Sequence, residues 1–162
     1  MLSEKMLKAL VKQMNEELFN AMTYFSMSTH ANYLGFFGAE KWLLNQYEQE
    51  LSHMRRFSGY INDWNFVFTV EPMKAPLSNF ESLMDIFQAA LNRERVTTEN
   101  CSKIQLQAIE EKDQNTVTFM DWFVNEQTEE MSWAFEMIAR LKVAGDNPAA
   151  LLQIDRYLGE SV

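Results

Sequence analysis

The stretch NQYEQELSHMRRF, residues 45–57, decides the fold. At helical spacing it belongs to a seam of Leu43, Gln46, Glu50, His53, Phe57, Tyr60 and Trp64, in steps of three and four residues. Such a seam is the buried stripe of a long helix, and apolar or aromatic groups hold both of its ends. Its centre instead carries a carboxylate, Glu50, and three residues later an imidazole, His53. An ionised carboxylate in an apolar interior is strongly disfavoured unless it is paired or bound to a cation.

The same interruption recurs in three other helical patterns. One seam runs Leu7, Leu10, Met14, Glu17, Ala21, Tyr24, Ser28. Another runs Leu83, Phe87, Ala90, Glu94, Thr97, Cys101, Ile104, Ala108. The last runs Thr116, Met120, Phe123, Gln127, Glu130, Ala134, Met137, Leu141. Each polar interruption falls near the middle of its helix, so all of them meet at one height whichever way each helix points. No Lys or Arg lies in these seams to neutralise four carboxylates. Two divalent cations would match the charge of Glu17, Glu50, Glu94 and Glu130, with Glu50 bridging and His53 capping one ion from the same helix face. Carboxylates with a single imidazole suit a hard, oxygen-loving ion such as iron.

Punctuation along the chain sets the topology. The first helix is expected from about Ser3 to Tyr33 and the second from about Ala39 to Asn65, with Leu34–Gly38 as the turn between them. A long link containing Pro72 and Pro76 follows, and Ser78 or Asn79 is expected to cap a third helix reaching Lys112. Asp113, Gln114 and Asn115 are expected to turn into a fourth helix ending at Gly145, and Pro148 announces a short fifth helix over Ala149–Leu158. A helix of about 27 residues is roughly 40 Å long, and Phe66–Asn79 spans about 45 Å when extended, so the second and third helices can run parallel. The expected fold is all-α: a four-helix bundle with one long crossover plus a short C-terminal helix, in a single domain over residues 1–162.

Composition narrows the function. The net charge of -9 opposes nonspecific binding to nucleic acid or anionic membrane and favours cations. Leu18 to Ala39 carries no charged residue, yet Asn20, Thr23, Ser26 and Asn32 interrupt it too often for a membrane span. The N-terminal stretch lacks the apolar core of a signal peptide, and a lone cysteine, Cys101, suits a reducing compartment, so a cytoplasmic location is expected. His30 lies beyond the seam and reads as structural. Tyr24 is either core packing or a hydrogen-bonding and redox neighbour of the metal site.

With these residues in place the chain resembles the bacterial-type non-haem ferritins over essentially its whole length. The resemblance is carried by Glu17, Tyr24, Glu50-x-x-His53, Glu94 and the run Asn125-Glu126-Gln127 to Glu129-Glu130. It implies a ferroxidase centre in which Glu17, Glu50 and His53 hold one iron, Glu50, Glu94 and Glu130 hold a second, and Gln127 hydrogen-bonds bound oxygen or water. It also implies iron storage and detoxification: oxidation of Fe(II) by dioxygen and mineralisation of Fe(III) inside a homo-oligomeric shell of 24 subunits. Glu126 and Glu129, with Glu130, are implied ligands of a third, weaker iron site, because Gln49 stands where the family often has a glutamate. Haem is not expected, since Ser52 occupies the place of the bacterioferritin axial methionine. The alternative is a di-iron peroxidase or oxidase acting on a separate substrate. Rubrerythrin-like versions of it usually add paired CxxC motifs, which a single cysteine cannot form.

Overall fold

The computed structural model describes residues 2–162. Helix α1 spans Glu4–Tyr33, α2 Phe37–Asp63, α3 Leu83–Glu110, α4 Gln114–Ala144 and α5 Pro148–Glu160. Helix α1 starts where Ser3 Oγ accepts from the Met6 amide at 2.9 Å, with Glu4 in the first turn favourable to the helix dipole. It stops at a tight turn in which Gly35 takes the left-handed region (φ 87°) and the Phe36 amide donates to Ala31 O.

Helix α2 begins at Phe37, two residues before the expected Ala39, and ends at Asp63, before left-handed Asn65 (φ 59°). The third helix departs further from the sequence reading. Its cap is neither Ser78 nor Asn79 but Ser82, whose Oγ accepts from the Asp85 amide at 3.1 Å. The reason lies in the crossover. Ser78 O is 2.7 Å from His30 Nε2, and Leu77 O accepts from Ser26 Oγ at 2.9 Å, so this stretch is tied to α1 and cannot enter a helix. Helix α3 ends at Glu110, short of Lys112, which is left-handed (φ 56°). Gln114 and Asn115 are already helical, because Asp113 accepts from the Thr116 amide and hydroxyl and so caps α4. Asn147 caps α5, with Pro148 at its first position.

The crossover follows α1. Asn15 anchors it at Thr69 O and the Glu71 amide, and Ser26 and His30 anchor Leu77 and Ser78. The chain therefore travels from the middle of α1 to its C-terminal end before α3 begins, which makes α2 and α3 parallel. Helix α1 packs on α2 and α3 on α4, while α1 also meets α3. Helix α5 docks mainly on α2. A Cβ at Gly38 would overlap the backbone carbonyl of Asp155, so glycine permits this approach. Asp155 Oδ1 in turn accepts from the Ala39 amide at 2.7 Å, serving a helix start that has no side-chain cap of its own.

The apolar interior is divided in two. One cluster is built on Met27, Trp42, Leu43, Phe87, Met137 and Leu141, the other on Met6, Leu10, Met14, Phe57, Met120 and Phe123. Leu7, Tyr60 and Trp64, expected in the buried seams, lie half-buried at the edge of the second cluster. Between the two clusters lies a layer of buried polar side chains from α1, α2, α3 and α4. Among the described residues no helix is long and apolar enough to cross a membrane.

Candidate metal centre

The polar layer contains Glu17 from α1, Glu50 and His53 from α2, Glu94 from α3, and Gln127 and Glu130 from α4, all buried. Glu17, Glu50 and His53 each offer a ligand atom, and these atoms lie within 4.8 Å of one another. His53 Nδ1 stands 3.6 Å from Glu50 Oε2, too far for a hydrogen bond but near enough for one ion to touch both. The imidazole is held edge-on between Trp122 and Phe123. Across the layer, Glu94 Oε1 accepts from the Tyr24 hydroxyl at 2.6 Å and its Oε2 accepts from Gln127 Nε2 at 3.0 Å. Tyr24 thus bonds to a site carboxylate. Gln127, expected to face bound oxygen or water, turns its amide N–H toward Glu94.

The electrostatics are those of buried carboxylates crowded together. Burial pushes the Glu17 carboxyl well above its ordinary range, and the charge of Glu50 adds to this. Glu50 is raised by burial first and then by Glu94. Glu130 is raised from 4.5 to about 8 by burial and then by Glu94. Burial, reinforced by Glu94, also lifts the Tyr24 phenol, so it is a neutral donor at physiological pH. Glu50 Oε2 has no hydrogen-bond partner. A buried carboxylate oxygen left this way, among other acids and one imidazole, is an acceptor suited to a cation. The donor set therefore fits a hard divalent metal.

Glu126 and Glu129 lie at the margin of this centre. They border a cleft of about 290 Å³ together with Gln46, Gln49, Glu130 and Trp133. Glu126 Oε1 is 3.9 Å from His53 Nε2, and Glu129 is exposed.

The seams did not register the groups that orient the ligands. Glu17 Oε1 accepts from Gln13 Nε2 at 2.8 Å and Oε2 from Asn20 Nδ2 at 3.3 Å, and both amides are buried. Spacing could have found them, since Gln13 is four residues before Glu17 and Asn20 three after it, on one helix face.

The sequence profile described as Ferritin-like domain matches residues 7–144. A bacterial non-heme ferritin of Staphylococcus aureus is 31% identical over 159 residues, covering 98% of this chain and 96% of that protein. A bacterial non-heme ferritin of Escherichia coli is 30% identical over 158 residues, covering 98% and 96%. Among solved structures, an open pore ferritin from the archaeon Archaeoglobus fulgidus superposes with a TM-score of 0.96 at 29% identity, covering 98% of each chain. The long helices of this chain, its long crossover between parallel α2 and α3, its buried carboxylate–imidazole cluster and its likeness to these proteins over 98% of its length agree, and the chain belongs to the ferritin family.

Proposed function

We propose that this protein is a ferroxidase that oxidises Fe(II) with dioxygen at a dinuclear centre within each subunit and stores the Fe(III) in a cage of 24 subunits. Glu17, Glu50 and His53 hold one iron and Glu50, Glu94 and Glu130 the second, with Glu50 as the bridge. The observation that carries the reading is Glu50 Oε2, buried, without a partner and 3.6 Å from His53 Nδ1, in a carboxyl that the charges of Glu94 and Glu130 also raise. Two Fe(II) ions are the substrate, and each gives one electron to dioxygen. The protein's part is to gather them at one height, exclude bulk water and hold the ligand oxygens in place. Tyr24 and Gln127 fix Glu94 by a hydrogen bond to each of its oxygens. All five helices act as one domain, in the cytoplasm, without haem, nucleic acid or membrane partners. Size-exclusion chromatography with Fe(II) added under air tests the reading. A large assembly that co-elutes with iron is expected, and a monomer that retains none contradicts it.

Tyr24→Phe removes only a hydroxyl, leaving Glu94 Oε1 without its donor. We expect oxidation to slow about tenfold, with assembly unchanged. Identical stopped-flow traces for the two proteins would reduce Tyr24 to packing.

The cleft holding Gln49, Glu126, Glu129 and Glu130 takes a third, weaker ion. Gln49 Oε1 already accepts from Gln46 Nε2 at 3.2 Å and brings no charge. Rapid Fe(II) uptake is therefore expected nearer two than three ions per subunit, and Gln49→Glu should raise it toward three. Equal uptake by both proteins would show that this position is no ligand.

A further inference from the structure

Outward from Glu17 runs a chain of polar contacts that the metal ligands themselves do not require. Arg93, on α3, directs Nε and Nη2 at a single atom, Asn20 Oδ1 on α1, at 2.9 and 2.6 Å. Nη2 also donates to Glu16 Oε2 at 2.9 Å, and the guanidinium lies over the Phe19 ring at 4.8 Å. Asn20 is fully buried, and its other end donates to Glu17 Oε2 at 3.3 Å and to Thr97 Oγ1 at 3.0 Å. A guanidinium has donors only, so Asn20 must turn its oxygen toward Arg93. Its NH₂ is then committed to Glu17 and Thr97. Turned over, the amide would set its oxygen against the Glu17 carboxylate and its NH₂ against the guanidinium, losing both contacts for two repulsions.

We propose that Arg93 is a positioning residue for the metal centre, acting through Asn20 to hold the Glu17 carboxylate in the orientation that receives an ion with Glu50 and His53. The inference rests on the metal reading above. Gln13 and Asn20 both belong to the helix of Glu17, so local geometry alone leaves the Asn20 amide free to reverse. Arg93 removes that freedom from a different helix, one residue before Glu94. It therefore ties the α1 ligand to the register of α3, where the opposite side of the centre is built.

The direction of the effect separates this role from simple charge. A guanidinium near a dication site repels the ion, so by charge alone its removal would tighten metal binding. Positioning requires the reverse. Co(II) is a suitable probe because its visible spectrum reports coordination geometry. It should be titrated without air into the assembled full-length protein and into Arg93→Met, Arg93→Lys, Asn20→Ala, the Arg93→Met/Asn20→Ala double variant and Glu16→Gln. Arg93→Met should weaken one Co(II) step about tenfold and shift its visible band. Arg93→Lys, which keeps the charge and a single donor nitrogen in place of two, should recover part of the loss. Once Asn20 is Ala, Arg93→Met should cost nothing further, because its route is gone. Glu16→Gln, which removes the ion pair but leaves the Asn20 contact, should bind Co(II) as the unmodified protein does.

Unchanged or tighter binding in Arg93→Met, or losses that add in the double variant, would overturn the proposal. Should Arg93→Met fail to assemble, Arg93→Lys decides: a weakened step with a shifted band supports the role, and a curve matching the unmodified protein overturns it. Failure of the unmodified protein to bind Co(II) would overturn the metal reading itself, and this inference with it.

Discussion

Glu50→Ala is expected to lower the fast phase of Fe(II) oxidation by on the order of 100-fold or more, beyond what changes to groups behind the ligands cost. The expectation follows from position. Glu50 has His53 Nδ1 3.6 Å from its Oε2, and after burial its carboxyl is raised by Glu94 and Glu130. In the proposed centre, its removal would separate the two ions that each yield an electron to one dioxygen molecule. The helix should survive, because alanine is the strongest helix former and one of the two lost carboxylate oxygens, Oε2, had no partner. Stopped-flow absorbance after mixing with aerobic Fe(II) reads the rate, and circular dichroism confirms the fold. Unchanged rates in a folded variant would remove Glu50 from the chemistry.

The second large effect is a pH dependence that metal reverses. In the metal-free protein Glu17, Glu50 and Glu130 all titrate above their ordinary carboxyl range. Between 4.5 and the raised folded value the native protein keeps protons that the unfolded chain has released. Stability is therefore greatest on the acid side of that window and falls as pH rises through it. For Glu130 alone, raised from 4.5 to about 8, the loss is on the order of 4 kcal/mol. Divalent metal binding must displace these protons, so affinity for the ion should rise over the same window, and loading should remove the slope. Urea unfolding from pH 5 to pH 8, with and without Zn(II), measures both. Metal-free stability that rises with pH would mean that the buried carboxylates are already neutralised by other groups.

Much of this arrangement was legible in the sequence because two periodicities and a few caps carry it. The steps of three and four through Glu17, Glu50, Glu94 and Gln127–Glu130 place those groups on the inner stripes, and each is buried where its stripe predicts. Ser3 and Pro148 mark helix starts through contacts within one turn, which sequence displays directly. Ser82 was missed because Ser78 has the same local appearance. What disqualifies Ser78 is the approach of its carbonyl to His30, 48 residues away, which no local pattern reveals. Gly38 is similar, since its need for a missing side chain comes from α5. The proposed metal ligands were visible as violations of the apolar pattern. Their supports were less so. Asn20 obeys the spacing but reads as an ordinary polar residue in an uncharged stretch, and Arg93 looks like solvated helix until α3 is set against α1.

Iron-soaked crystals examined by anomalous diffraction at the iron edge test the central claim most directly. The account predicts two iron peaks in every subunit with Glu50 between them, one bound also by Glu17 and His53 and the other by Glu94 and Glu130. Iron confined to the Glu126–Glu129 cleft, or a single peak that leaves Glu50 uncoordinated, would contradict it.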